Sequence, residues 1–170
     1  MYAKIMVAVD GSPIAMHALD EAMLLAKIHG AELMSVYVVE YPHTYISDLG
    51  YDPLPITEAL VSEGRHVLEK AECLMKSRQI DSKSLLVDNR PTLDSIAEQL
   101  QKVADEYAAD LVILGTHGRG GFKRLLLGSV AQDFVRITCR PVLLIPGKHH
   151  KEERTEQREE GEPYRHTAPP

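Results

Sequence analysis

Apolar residues along this chain occur in short runs that alternate with amphipathic stretches. The first run, from Lys4 to Asp10, is apolar at nearly every position and contains β-branched residues. A run that is apolar on both faces is typical of a strand buried from both sides, as in a parallel sheet. Similar runs predict further strands at Glu32–Val39, Ser84–Asp88, Leu111–Leu114 and Pro141–Pro146.

Between these runs, apolar residues recur at the spacing of amphipathic helices. The predicted helices follow Ser12 up to Gly30, and then cover Ile56–Gln79, Pro91–Ala108 and Gly128–Thr138. Ser12 is suited to cap the first helix, with Pro13 at its first position and Gly30 as its terminator. Gly64 in the second helix costs about 1 kcal/mol against alanine. Close packing against the sheet is a reason for glycine at that position.

The strands and helices alternate along the whole pattern. This order predicts an α/β fold with an open five-stranded parallel sheet and helices on both faces, of Rossmann-like type. In such sheets ligands bind at the carboxyl ends of the strands, where the winding reverses. The loops after Val9 and Leu114 leave carboxyl ends and are therefore the first candidates for binding. A third segment, Glu40–Pro55, holds three Pro, one Gly and three Tyr and is predicted to be a long loop.

Composition excludes several classes of function. The chain has 170 residues, 44% of them hydrophobic, and its longest unbroken apolar runs are far shorter than the roughly 20 residues of a membrane span. The formal net charge of -6 argues against nucleic acid or an anionic membrane as the main partner. The N-terminus lacks a signal-peptide layout and two cysteines make no disulfide framework, so we expect a cytoplasmic protein.

The charge is divided unevenly between a body and a tail. Residues 148–170 contain five Lys or Arg and six Glu but only Tyr164 and Ala168 as apolar side chains. Such a segment buries too little apolar surface to offset its ordering entropy and is expected to be disordered. The predicted organisation is therefore a folded domain over 1–147 and a charged tail over 148–170.

The most informative segment is the glycine-rich stretch after the fourth strand. Gly115 and Gly118 are followed, after nine intervening residues, by Gly128 and Ser129 at the start of a helix. Loop amides and a helix N-terminus favour bound phosphate, and the Ser129 hydroxyl can cap the helix or donate to a phosphate oxygen. Nearby cations are Arg119, Lys123 and Arg124. A plain glycine-rich surface loop is the alternative. The stretch has neither P-loop nor dinucleotide-fingerprint spacing.

These residues resemble the universal stress protein family. Its nucleotide-binding members carry Gly-x2-Gly-x9-Gly-Ser/Thr, which Gly115, Gly118, Gly128 and Ser129 match. The opening Val7–Ser12 and the last predicted strand resemble the family as well. The resemblance covers about 1–147 and implies the adenine nucleotide alpha hydrolase-like version of the fold.

The resemblance also implies ATP as ligand, with Mg²⁺ or Mn²⁺, and a set of residues that hold it. Asp10 would meet the ribose or the adenine, and the backbone of Val38 would contact the adenine. The implied adenosine residues are Ala8, Val9, Asp10, Val38, Leu114 and Gly115. The implied phosphate residues are Gly118, Arg119, Gly128, Ser129 and Val130. Family members also pair through the last strand, which here implies a homodimer through Val142–Ile145.

The expected function is therefore an ATP-binding stress-response module in which any hydrolysis is slow, because neither a P-loop lysine nor a placed general base is evident. An adenylyl-transfer or ATP pyrophosphatase enzyme on the same scaffold is one alternative. Its Ser-Gly-Gly-type loop is replaced here by Asp10–Pro13. A nucleotide-independent dimeric scaffold is the other alternative.

Several isolated residues allow a functional and a structural interpretation. Asp10 could be a ligand-binding or catalytic carboxylate, or could support its own turn. His117 could act on phosphate or pack within its loop, and loop tyrosines could cover an adenine or pack locally. The tail histidines are expected to be solvated rather than metal-binding. Cys73, assigned to a helix inner face, and Cys139 are expected to be buried or idle thiols.

Overall fold

The computed structural model describes residues 1–41, 54–89, 94–116 and 127–147. Its elements are β1 (Lys4–Ala8), α1 (Pro13–His29), β2 (Glu32–Val38), α2 (Leu54–Ser77), β3 (Ser82–Val87), α3 (Ile96–Tyr107), β4 (Leu111–Gly115), α4 (Ser129–Ile137) and β5 (Val142–Ile145). The five strands are all parallel and lie in the order β3-β2-β1-β4-β5. The predicted fold class is confirmed.

Two hydrophobic clusters sandwich the sheet, one on each face. Successive strand side chains point to opposite faces, so Ile5 and Val7 join the cluster covered by α1 and α2, whereas Met6 joins the one covered by α3 and α4. We call these the α1/α2 face and the α3/α4 face. Because both faces are covered, the central strands are apolar at almost every position, as the sequence pattern indicated.

The ends of α1 follow directly from its sequence. The Ser12 hydroxyl accepts a hydrogen bond from the Ala15 N–H at 3.2 Å, and Pro13 occupies the first helical position. Gly30 ends the helix in the left-handed region with φ 66°, and its N–H donates to the Ala26 carbonyl. These three predicted roles are confirmed.

The predicted start of α3 at Pro91 is wrong, because the helix begins at Ile96. Ser95 is the N-cap, and Ser95 and Glu98 form a reciprocal capping box. The Ser95 hydroxyl accepts from the Glu98 N–H at 3.2 Å, and the Glu98 carboxylate accepts from the Ser95 N–H at 2.7 Å. This pair satisfies two N-terminal donors and fixes the boundary.

Two other elements begin about two residues earlier than predicted. The second helix begins at Leu54 rather than Ile56, within the segment predicted to be a loop, and β3 covers Ser82–Val87 rather than Ser84–Asp88. Pairing of Ser82 with Leu33 explains the earlier start of β3, because it extends the ladder with β2. Neither shift changes the order of the elements.

Gly64 lies where α2 approaches the sheet most closely. An added Cβ would lie 2.6 Å from Leu86 Cδ1 and 2.7 Å from the Tyr37 ring. The expectation that packing against the sheet requires glycine here is confirmed. The chain accepts a poor helix former in the middle of α2 because no larger residue fits against these two side chains.

Candidate functional site

The winding of the sheet reverses between β1 and β4. From β1 the chain moves outward to β2 and β3, and it then returns to place β4 on the other side of β1. Val7 pairs with Ile113, so the carboxyl ends of β1 and β4 lie side by side. This topological switch point opens a crevice at one edge of the sheet, where α/β proteins bind their ligands.

Four of the predicted nucleotide residues converge on one side of this edge. Their side chains all belong to the cluster on the α3/α4 face, in which Leu114 is buried and the other three are partly buried. They are Ala8, Val38, Leu114 and Val130. Val9 instead points to the α1/α2 face and is 3% exposed. The crevice therefore has an apolar wall on the side that also carries α4.

Asp10 supports the turn that follows β1. Its Oδ1 accepts a hydrogen bond from the Ser12 N–H at 2.8 Å, which is the structural role that the sequence left open. Gly11 lies between them at φ 81°, and an added Cβ would come within 2.9 Å of Val67 Cγ2. Positive φ and this contact with α2 both favour glycine. The turn therefore holds the Asp10 carboxylate at the edge of the sheet, beside the switch point.

The beginning and the end of the glycine-rich loop meet at the same edge. The Gly128 N–H donates to the Thr116 carbonyl at 2.7 Å, and the Thr116 N–H donates to the Ile145 carbonyl at 2.9 Å. These bonds hold the N-terminus of α4 beside Gly115, the last residue of β4. The described ends of the loop are thus fixed to the β4 and β5 edge.

The N-terminus of α4 presents backbone donors to this edge. Gly128 is the N-cap and makes no side-chain cap, so the possibility that Ser129 caps the helix is wrong. The first intrahelical bond in this turn comes from the Gln132 N–H to the Gly128 carbonyl at 2.9 Å. The preceding N–H groups of the first turn have no intrahelical acceptor. Ser129 is exposed at the first helical position, so its hydroxyl lies among these donors.

Some predicted site residues lie outside the described residues. They are Gly118, Arg119, His117, Lys123, Arg124, Tyr45, Tyr51 and the tail histidines His149, His150 and His166. The predicted tail, 148–170, also lies outside them. The positive charge expected beside the phosphate loop is therefore a property of the sequence alone.

A candidate tyrosine packs in the fold, and the two candidate cysteines are exposed to solvent. The Tyr41 hydroxyl donates to Asp88 Oδ1 at 2.6 Å, and its ring packs against the α1/α2 face. This favours local packing for Tyr41 over a cover for adenine. The assignment of Cys73 to an inner helix face is wrong, because both Cys73 and Cys139 are exposed. Cys73 lies between the inward positions Ala71 and Met75 of α2, on the side that turns away from the sheet.

Sequence reasoning missed Gln99 in α3. Gln99 is only 5% exposed, and it lies among the apolar residues that mark the inner face of this helix. Its Nε2 donates to the Asp94 carbonyl at 3.1 Å. The sequence did contain a signal, since Gln99 is a polar residue at a position whose helical spacing faces the core. Such a residue merits attention because a buried polar group normally requires a hydrogen-bond partner.

Two of the resolved pKa shifts belong to groups at the opposite end of the sheet. Burial raises the pKa of the Tyr107 hydroxyl, which donates to the Glu32 carbonyl at 3.1 Å near the amino ends of the strands. A hydrogen bond from Arg140 lowers the pKa of Asp105. These interactions attach α3 and the start of β5 to the base of the sheet, and they are structural rather than chemical.

Comparison with known proteins identifies the family. The model of the universal stress protein family matches residues 1–146. The chain belongs to this family. Universal stress protein MJ0531 of Methanocaldococcus jannaschii is 31% identical over 146 residues, which are 85% of this chain and 82% of that protein.

Two solved structures of universal stress proteins show the same fold. One, from Burkholderia pseudomallei, is 38% identical with a TM-score of 0.72, and the match covers 86% of this chain and 97% of that one. Another was solved in complex with cAMP. It is 26% identical with a TM-score of 0.58, and the match covers 85% of this chain and 97% of that one.

The described residues bear on membrane and metal chemistry in two ways. Among these residues, no helix combines the length and the apolar composition needed to cross a membrane. Within the same ranges, no three or more His, Cys, Asp or Glu side chains gather as ligands for a metal ion.

Proposed function

We propose that this universal stress protein binds ATP at the β1–β4 switch point and acts as a nucleotide-dependent regulatory module in the cytoplasm. The observation that carries the proposal is the convergence of Ala8, Val38 and Leu114 beside the open N-terminus of α4. The related protein solved with cAMP supports an adenine nucleotide as the ligand class. Under this proposal, residues 1–147 form the nucleotide-binding domain and 148–170 a separate tail.

The chemistry of each half of the site suits one half of the ligand. The apolar wall on the α3/α4 face buries the faces of adenine and ribose, while the Asp10 carboxylate can accept a hydrogen bond from a ribose hydroxyl. The phosphates lie at the N-terminus of α4, where backbone N–H groups and the helix dipole favour negative charge. Gly115 and Gly128 allow the backbone to approach closely, and Gly118 and Arg119 complete the proposed phosphate site.

Magnesium, or manganese, would be held mainly by the phosphate oxygens. Mg²⁺ in nucleotide sites is commonly bound through one or two carboxylates and the phosphates, with water completing the shell. Asp10 is a described carboxylate beside the β1–β4 switch point. The sequence has no P-loop lysine to stabilise a transferred phosphoryl group, so ATP acts chiefly as a ligand and any hydrolysis is slow.

A charge substitution at the first residue of α4 tests the proposal. Ser129→Glu places a carboxylate where the phosphates would bind, yet an acidic residue at a helix N-terminus stabilises the helix. The affinity for ATP and AMP should fall by about tenfold, equivalent to about 1.4 kcal/mol, whereas that for adenosine should not change. Isothermal titration calorimetry measures all three.

Gln132→Glu is the matched control, because it adds the same charge to an exposed position one turn further along α4. It should weaken ATP binding much less than Ser129→Glu. If the unmodified protein binds no adenine nucleotide at millimolar concentration with Mg²⁺, the proposed function is wrong. Mass spectrometry of nucleotide that co-purifies with the protein gives an independent answer about the natural ligand.

The open edge of β5 supports pairing with a second copy of the chain. The carbonyls of Pro141 and Ile145 accept bonds from Val112 in β4 and from Thr116, the residue after it. By alternation the backbone groups of Val142 and Leu144 therefore point away from β4. An apolar edge strand with outward donors and acceptors is a template for another strand. We therefore assign the homodimer interface to Val142–Ile145.

Leu144→Pro tests this interface, because it removes an outward N–H while leaving the bonds between β5 and β4 in place. Light scattering coupled to size-exclusion chromatography should show a dimer for the unmodified chain and a monomer for the variant. A monomeric unmodified chain, or a variant that stays dimeric, would contradict the assignment. Retained thermal unfolding would establish that the variant is folded.

A further inference from the structure

Gln99 carries a buried carbonyl with no partner among the described residues. The side chain is 5% exposed, and no donor of these residues lies within hydrogen-bond distance of Oε1. Its amide orientation is fixed, because Nε2 donates to the Asp94 carbonyl at 3.1 Å. The opposite orientation would place two acceptors against each other. The unpartnered buried atom of Gln99 is therefore an acceptor, not a donor.

The position of Gln99 on α3 shows which way it faces. Ala97 and Glu98 line the groove between α3 and α4, and Asp105 bonds to Arg140, which follows α4. At 100° per residue, Gln99 and Val103 lie on the opposite flank of the helix. Both are buried, and α3 packs there against β2 and β1. Gln99 therefore lies on the side of α3 nearer to β2.

The direction of α3 shows which end of the strands Gln99 lies nearest. In a parallel α/β fold each helix runs opposite to the strands, so the first turn of α3 lies near their carboxyl ends. Gln99 is the fourth residue of α3, which begins at Ile96. Ile96 packs in the same cluster as Val38, the last residue of β2. The Gln99 acceptor thus lies near the carboxyl end of β2, on the α3/α4 face.

The proposed nucleotide would reach the same place. Its phosphates lie at the N-terminus of α4, which is on the α3/α4 face, and its base extends across the edge to the end of β2 at Val38. The base is therefore on the α3 side of the sheet. An unpartnered buried acceptor on this side favours a ligand that offers a donor, because a buried polar group without a partner is costly.

We propose that Gln99 is a base-specificity residue, whose Oε1 accepts a hydrogen bond from the exocyclic amine of adenine. The inference rests on the proposed function, because it assumes a nucleotide at this edge. Adenine presents a donor at its 6-position, whereas hypoxanthine presents a carbonyl oxygen there. A 6-oxo purine would place its carbonyl oxygen against Gln99 Oε1, and two buried acceptors cannot form a hydrogen bond. A site built on Gln99 therefore binds the 6-amino purine more tightly than the 6-oxo purine.

Calorimetric titration with AMP and IMP tests this role in the full-length chain. The unmodified protein should bind AMP at least about tenfold more tightly than IMP, the difference expected from one buried hydrogen bond. Gln99→Leu should lose most of this preference by weakening AMP alone. Gln101→Leu is the matched control, because Gln101 has a similarly unpartnered carbonyl but lies on the flank of α3 that faces α4. It should keep the preference.

The outcomes separate the two proposals. If neither nucleotide binds the unmodified protein, the proposed function fails and the role of Gln99 fails with it. If AMP and IMP bind equally, or if Gln99→Leu discriminates as well as the unmodified protein, only the role of Gln99 is refuted. Gln99→Met keeps the unbranched shape of glutamine and replaces Gln99→Leu should that variant not fold. Lost stability with unchanged preference would identify a purely structural buried amide.

Discussion

Replacing Gly64 by alanine tests how closely α2 packs against the sheet. Alanine favours a helix interior over glycine by about 1 kcal/mol, so the substitution would stabilise α2 if space allowed. The added methyl group would instead lie 2.6 Å from Leu86 Cδ1 and 2.7 Å from two atoms of the Tyr37 ring. Carbon atoms pack best at about 3.5–4.0 Å. The neighbours must therefore move by about 1 Å.

The Tyr37 ring decides the sign of the effect. The end of Leu86 can turn aside, but Tyr37 is 4% exposed and packed within the α1/α2 face, so its ring has little room. Overpacking of this kind costs about 1–3 kcal/mol. Because the Tyr37 ring has little room, the cost should lie in the upper half of this range, at about 2–3 kcal/mol. After subtracting about 1 kcal/mol of helix-propensity gain, we expect Gly64→Ala to destabilise the domain by about 1–2 kcal/mol. For a domain of this size the melting temperature should fall by about 2–8 °C.

Thermal unfolding followed by circular dichroism measures this change. Ser62→Ala is the control, because it places alanine at an exposed position of α2 and should leave stability unchanged or slightly raised. The Leu86→Ala background should reduce the cost of Gly64→Ala, since it removes one of the two contacts. A Gly64→Ala protein as stable as the unmodified one would refute the steric argument and leave glycine at this position without a packing reason.

Two further substitutions test the interactions that set the ends of α3. Ser95→Ala removes the hydroxyl half of the capping box, leaves the backbone N–H that donates to Glu98, and should cost about 1 kcal/mol in urea unfolding. Ser77→Ala, near the end of α2, should cost less. Asp105→Asn tests the carboxylate whose pKa is lowered mainly by its hydrogen bond from Arg140. A lowered pKa stabilises the fold above the ordinary value of 3.8, and this contribution disappears as pH falls through the lower, folded-state pKa. The variant should therefore lose less stability than the unmodified protein below about pH 4, and an equal loss on acid titration would contradict the assignment.

The sequence predicted the fold well because each strand and helix is signalled by residues close together in the chain. Ser12, Pro13 and Gly30 define α1 by local bonds, and such bonds can be anticipated from residue type. The start of α3 was harder because two local signals compete. Pro91 suits a first helical turn, but Ser95 and Glu98 have the capping-box spacing, and in the structure these two residues set the boundary.

The chemistry of the candidate site depends on register, which residue type alone does not reveal. Ala8 pairs with Val36, and Val7 pairs with Ile113, so Ala8, Val38 and Leu114 are in phase on one face of the sheet. A shift of one residue in β2 would turn Val38 to the α1/α2 face and divide the proposed adenosine wall. The three side chains lie on the face of the sheet that α4 covers. A nucleotide on that wall therefore has its phosphates at a helix N-terminus. The same placement leads its base toward Gln99, a buried polar side chain in an otherwise apolar layer.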